Sequence, residues 1–284
     1  MKLKSFNIAN FKVDGGAMFG VVPRILWSKH YPADENNLII LALRSLVIET
    51  NDRVVLIDNG IGDKQNEKFF SRLNIFGGVG LINGLANLGY QPKDITDVII
   101  THLHFDHCGG GVIHNPEGSP ALVFPNAKYH ISKSQWDWAI NPNDREADSF
   151  LPENILPMLD LGGLNLIEEE GELLQGITIR IFNGHTRGQI IPLIRYKGKT
   201  IVFVADLFPS TAHIPIPWNM AYDVEPLVTM KEKEEFLKEA LEGDYIFLYQ
   251  HDYYNECSRI KQTSRGIRAT EGFTFETLLK ELGE

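Results

Sequence analysis

The chain has 284 residues, 43% of them apolar, enough to bury a core that needs neither disulfide nor metal to fold. Its formal net charge of −10 opposes a broad nucleic-acid groove, and its Lys and Arg residues are scattered rather than gathered in a patch. Only two cysteines occur, Cys108 and Cys257, outside any Cys-x-x-Cys pattern, which fits a reducing compartment.

Residues 1–8 alternate like a strand and lack the apolar segment of a signal peptide, and no apolar run approaches the length of a membrane span. The expected address is therefore the cytoplasm. Residues 2–8 read as the first strand. An irregular stretch follows over residues 11–37, broken by Gly15-Gly16, Gly20, Pro23 and Pro32 yet carrying Met18, Phe19, Val21, Val22, Ile25, Leu26 and Trp27. Polar linkers do not hold so many large apolar groups. It reads as an amino-terminal loop extension that packs on the domain or walls a pocket, and an apolar arm of this kind suits a homodimer contact. Leu38 to Glu49 and Val54 to Ile57 form a hairpin about Asn51-Asp52, ending in Asp58-Asn59-Gly60.

Helices are expected over residues 63–73 and 79–88, the second closed by Gly89. A strand over residues 97–101 leads into the histidine-rich stretch, another covers 128–131, and a short helix covers 134–140. Residues 141–163 read as a surface excursion. Three strands follow at 177–181, 190–195 and 200–204, the last two joined through Lys197-Gly198-Lys199. An amphipathic helix over 231–241 precedes a buried strand at 245–249, and a helix at 275–282 closes the chain.

The stretch His102-Leu103-His104-Phe105-Asp106-His107 places four metal-type ligands in six positions after the apolar run Val98-Ile99-Ile100. Where a strand ends in a loop, His102 and His104 can turn to one side while Asp106 and His107 reach the other. Three further strands run into a residue of the same type. Ile181-Phe182-Asn183-Gly184 leads to His185, Val202-Phe203-Val204-Ala205 to Asp206, and Ile246 to Gln250 leads to His251. Ligand sites in α/β sheets form at the carboxyl ends of strands. A single strand-end His or Asp is more often a cap or a satisfied core group, but four strands ending this way point together to metal. Seven ligands suit two ions: His102, His104 and His185 on one, Asp106, His107 and His251 on the other, and Asp206 bridging. Imidazole and carboxylate without thiolate favour Zn²⁺, with Fe or Mn chemically acceptable. Such a pair polarises a carbonyl or phosphoryl oxygen and lowers the pKa of bound water to about 7, which is the chemistry of hydrolysis.

The His-x-His-x-Asp-His pattern with spaced His185, Asp206 and His251 resembles the metallo-β-lactamase-fold hydrolase superfamily along nearly the whole chain. Asp58-Asn59-Gly60 is similar to that family's Asp-x-Gly turn, and Gly184-His185-Thr186 to its Gly-His-Thr/Ser element. The resemblance implies an α/β fold, a four-layer αββα sandwich formed as one domain over residues 1–284, with the metals at one edge between two sheets. It also implies that Asp58 orients a ligand histidine.

Branches of the family can be told apart by single residues. Flavodiiron-type members carry Glu where this chain has His104, and true β-lactamases usually lack the Asp at position 106. The acidic composition opposes RNA-processing members. What remains is closest to acyl-homoserine-lactone lactonases and methyl-parathion-hydrolase-like phosphotriesterases. One lactonase group has a Tyr three residues after the bridging Asp to hold the substrate carbonyl; here Pro209 stands there, and His213 is the candidate replacement. Phe19, Trp27, Phe208 and Trp218 are candidates for an apolar pocket, and Cys108 for a buried filler. The expected reaction is hydrolysis of a small lactone, ester or related molecule, with Asp106 returning a proton to the leaving oxygen. Alternatives are a phosphotriesterase, a persulfide dioxygenase with one iron, and a metal-binding protein without turnover. No nucleic-acid or membrane partner is expected.

Overall fold

A computed structural model describes residues 1–283. Strand β1 (Lys2–Asp14) leads into two short helices, α1 (Gly15–Phe19) and α2 (Arg24–Trp27). The hairpin of β2 (Leu38–Glu49) and β3 (Val54–Ile57) follows, then α3 (Glu67–Leu73), α4 (Leu81–Asn87) and β4 (Asp97–Ile99). Helix α5 (Phe105–Cys108) precedes the small pair β5 (Val112–His114) and β6 (Pro120–Leu122). Next come β7 (Lys128–Ser132), α6 (Lys133–Ala139), α7 (Pro152–Asp160), β8 (Leu164–Ile167) and β9 (Gly171–Leu174). The remainder is β10 (Ile177–Phe182), β11 (Gln189–Tyr196), β12 (Lys199–Phe203), α8 (Pro226–Glu242), β13 (Ile246–Leu248), β14 (Cys257–Ser258), β15 (Ile260–Thr263), β16 (Gly266–Ala269) and α9 (Phe275–Glu281). The chain divides into two compact units, residues 1–11 with 43–169, and residues 12–42 with 170 onward.

In the first unit the sheet order is β1-β2-β3-β4-β7-β8. β2 and β3 pair antiparallel, whereas β3, β4, β7 and β8 run parallel with Leu56 beside Val98 and Val98 beside Tyr129. Parallel neighbours need crossovers, and the helices supply them. Val55, Leu56, Val98 and Ile99 are fully buried, as expected of parallel strands covered on both faces. Leu85, Ile100, Leu103, Tyr129, Ile131 and Met158 complete this core. The parallel register also sets the ends of β3 and β4 side by side: the Asp58 N–H donates to the Ile99 carbonyl at 3.0 Å.

In the second unit the order is β14-β13-β12-β11-β10-β9. β10, β11 and β12 are antiparallel, and β12 pairs with β13 in parallel across the α8 connection. The β11–β12 turn puts Lys197 at φ 48° and Gly198 at φ 79°, the two positive values that a tight right-twisting hairpin requires. Helix α8 starts with Pro226 and buries Phe236, Leu237 and Ala240 along one face.

Two regions differ from the sequence expectation. Residues 11–37 are not an irregular loop: β1 continues to Asp14, whose carboxylate caps α1 by accepting the Ala17 N–H at 2.7 Å, and α2 follows. Residues 141–163 are not a surface excursion, because α7 buries Asn154, Ile155, Pro157 and Met158. Pro152 there opens a helix, where its missing N–H costs nothing. The short strands β8, β9, β15 and β16 carried too little period to be foreseen. Among the described residues no helix is long and apolar enough to cross a membrane.

Candidate metal centre

In the first unit Ile100 and Thr101 stay buried past the end of β4, and His104, extended at φ −64°, ψ 148°, is the cap of α5. This segment and the helical turn after it gather the three imidazoles. The His102 ring centroid lies 4.5 Å from that of His104 and 3.8 Å from that of His107. All three are buried, and Asp106 is partly exposed.

Their hydrogen bonds fix the tautomers. Asp58, buried and at φ 52°, accepts the Thr101 N–H at 2.7 Å, the Thr101 hydroxyl at 2.8 Å and His107 Nδ1–H at 2.9 Å. With its proton on Asp58, the Thr101 oxygen accepts from His102 Nδ1 at 3.2 Å. Glu146 accepts His104 Nε2–H at 3.1 Å and is held by Trp138 Nε1 at 2.6 Å and Asn143 Nδ2 at 3.1 Å. Protons so placed leave lone pairs on His102 Nε2, His104 Nδ1 and His107 Nε2. The first two nitrogens are 3.0 Å apart. Two lone pairs at that separation repel unless positive charge lies between them, and two nitrogens on one tetrahedral Zn²⁺ would be about 3.3 Å apart. The donor set fits a divalent ion.

The loop behind these histidines is tightly built. Lys64 Nζ donates to the Gly109 and Val112 carbonyls, and burial holds its pKa below the usual lysine range. A Cβ on Gly109 would lie 1.9 Å from the Ile61 carbonyl oxygen, so no larger residue fits there. Cys108 is buried, and burial raises its thiol pKa far above the usual value. It is a filler and not a nucleophile.

In the second unit His185, Asp206 and His251 come together. His185 Nδ1 donates to Asp223 at 3.0 Å, and His251 Nδ1 to the Ala42 carbonyl at 2.8 Å. Each ring therefore turns Nε2 to Asp206, His185 to Oδ2 at 3.4 Å and His251 to Oδ1 at 3.2 Å. One carboxylate thus presents a different oxygen to each imidazole. Ala205, just before it, sits at φ 38°, a strained value for alanine that aims Asp206. Gly184 passes so near α8 that a Cβ would meet the Thr229 nitrogen at 2.3 Å, and Glu232 accepts the N–H groups of Asn183 and Gly184.

Of the expected pocket residues, Trp218 is partly exposed and lines a cavity of the second unit, whereas the others are buried. Phe208 is fully buried with Phe236 and Phe247, in the core. Phe19 and Trp27 are 0% and 1% exposed and stack at 4.9 Å, so neither lines an open wall. His213 is equally buried and stacks on Phe19 at 4.5 Å. Burial pushes its pKa down to about 3, so the ring is neutral. Its Nε2–H donates to the Met18 carbonyl at 2.8 Å and its Nδ1 accepts from Ser210 at 2.7 Å. Both ring nitrogens of His213 are therefore engaged within the second unit. The sequence reading missed Glu146, Asp223 and the Ala42 carbonyl, none of which carries a local motif.

A mixed α/β chain with imidazole and carboxylate donors at its strand ends defines a metal-dependent hydrolase class. The chain belongs to the metallo-beta-lactamase superfamily, whose family model matches residues 44–251. It has that fold. It is similar to a probable metal-dependent hydrolase from Staphylococcus aureus, at 34% identity and TM-score 0.85 over 96% of this chain and 98% of the other. A dizinc quorum-quenching lactonase, solved with its product N-hexnoyl-L-homoserine, shares the fold at TM-score 0.79 and 22% identity, over 96% of this chain and 95% of that one. An N-acyl homoserine lactonase from Bacillus sp is 27% identical over 161 residues, 53% of this chain. The chain matches 57% of that relative's length.

Proposed function

We propose that the chain acts as one hydrolase domain that opens a small lactone or ester with two divalent metal ions, Zn²⁺ by preference. Asp206 carries this reading, since its two oxygens each face the Nε2 of a different histidine, the donor pattern a bridging carboxylate needs. On this reading His102, His104 and His185 hold one ion, Asp106, His107 and His251 hold the other, and Asp206 serves both. When bound, the ions would supply Lewis-acid polarisation of the carbonyl and a nucleophile drawn from water at neutral pH.

The chain's own residues do the rest. Asp58, Asp223 and the Ala42 carbonyl keep the Nδ1 protons of His107, His185 and His251 away from the donor nitrogens, while Glu146 does the same through Nε2 of His104. Asp106, more exposed than the histidines, takes up the proton released by the attacking water and hands it to the leaving oxygen. The lactonase relatives support the choice of a lactone or ester. The test is metal analysis of purified protein followed by assays against lactones, aryl esters, thioesters and phosphotriesters. About two metals per chain with lactone or ester turnover, lost on chelation and regained with zinc, is expected. One iron per chain with persulfide oxidation, or phosphotriester turnover alone, would overturn the assignment.

A further inference from the structure

The second unit contains a cavity of about 480 Å³ unlike the rest of this acidic chain. His30, Thr211, Trp218, Arg265, Arg268 and Thr270 line it, and no carboxylate is among its lining residues. Arg265 stands in the turn of the β15–β16 hairpin and Arg268 three residues further on in β16, and both line the cavity. The turn is pinned: the Thr263 hydroxyl donates to the Gly266 carbonyl at 2.6 Å and accepts the Arg265 N–H at 3.1 Å. Arg268 is half-buried, and its guanidinium donates to the Ile267 carbonyl at 2.7 Å. Among the described residues neither Arg265 nor Arg268 forms an ion pair, although carboxylates outnumber Lys and Arg by 37 to 27 in the sequence. Guanidinium groups gathered in a concave site, with threonine hydroxyls and an aromatic ring beside them, match the needs of a carboxylate on a small organic body.

We infer that this cavity is a binding site for a small organic carboxylate, with Arg265 and Arg268 as the groups that hold its charge. The wall is not isolated from the candidate ligands. Thr211 donates from its backbone N–H at 2.9 Å and its hydroxyl at 2.8 Å to Asp252 Oδ2, and Asp252 follows His251 in the chain. A ligand that draws on Thr211 would therefore pull on the segment that sets His251.

Titration calorimetry of the metal-loaded protein with hexanoate, and with hexanamide as its uncharged counterpart, tests the inference. Hexanoate should bind saturably and weaken as salt is raised, while hexanamide should not bind. Arg265→Ala with Arg268→Ala should weaken hexanoate at least about tenfold, and the double lysine variant should recover much of it, since point charge survives where the planar fork does not. Equal affinity in the double alanine variant, or equal binding of hexanamide, would overturn it. Because the readout is binding, failure here leaves the hydrolase reading untouched, and the converse holds. Two sources of the carboxylate are then separable with a neutral and an anionic ester. If it belongs to the substrate, the double alanine variant raises KM for the anionic ester alone. If it is a separate effector, hexanoate changes KM for the neutral ester in the wild type and not in the variant.

Discussion

Replacing Asp58 by Asn alters the protons around the candidate ligands while hardly changing shape. The wild-type carboxylate accepts three hydrogen bonds, two from Thr101 and one from His107 Nδ1. A carboxamide has one oxygen, so it can retain the Thr101 N–H bond only by turning its NH₂ toward Thr101 Oγ1 and His107. His107 Nδ1 must then accept, which moves the imidazole proton onto Nε2, where a metal would bind. Loss of a partner that orients a ligand histidine lowers metal affinity roughly 10–100-fold, equivalent to about 1.4–2.8 kcal/mol. Competition titration against a chromophoric zinc chelator measures the two binding steps separately. The prediction is that D58N weakens the step involving His107 by that factor. D58N protein that keeps its circular dichroism spectrum and takes up both equivalents of zinc with wild-type affinity would refute the reasoning.

Three further predictions use other parts of the chain. Asp106→Asn should lower kcat roughly 10²–10⁴-fold with a much smaller change in KM, as loss of a proton donor does; unchanged kcat would dispose of that role. Lys233, buried in α8, donates to the Pro215 and Trp218 carbonyls and to Asn219 Oδ1 at 3.1, 2.9 and 3.0 Å, so Lys233→Met should cost about 2 kcal/mol and lower Tm by roughly 4–8 °C. An unchanged melting curve would show that these bonds do not hold the 215–219 loop. For Asp97 burial raises the pKa, but hydrogen bonds from His130, Thr96 and Arg53 outweigh it and hold the carboxyl at about 2. That folded value lies below the ordinary aspartate value of 3.8, so the stabilisation is complete well above the unfolded pKa and is lost as pH falls toward 2. Urea unfolding of Asp97→Asn should show a deficit of about 2 kcal/mol at pH 7 that shrinks between pH 5 and pH 2. A deficit independent of pH would contradict this.

The metal-type ligands were legible because each stands just past a strand whose apolar run is itself legible. Both signals are local. The groups that orient them were not, since Glu146 reaches His104 from 42 residues away and Asp223 reaches His185 from 38. Neither belongs to a periodic pattern. The burial of Phe19, Trp27, Phe208 and His213 is equally non-local. Large apolar groups among glycines and prolines resemble a pocket lining, yet burial depends on what packs over them: Phe19 and Trp27 stack on each other from α1 and α2, and Phe208 packs against Phe236 of α8 and Phe247 of β13. Arg265 and Arg268 looked like scattered charge in the sequence, and the cavity they line is formed with residues distant in the chain, among them His30, Thr211 and Trp218.

Anomalous diffraction at the zinc edge, from crystals grown with excess zinc, tests the central claim most directly. The account predicts two peaks per chain bridged by Asp206, one bonded to His185 Nε2 and the other to His251 Nε2. A single peak, or zinc bound without Asp206, would contradict it.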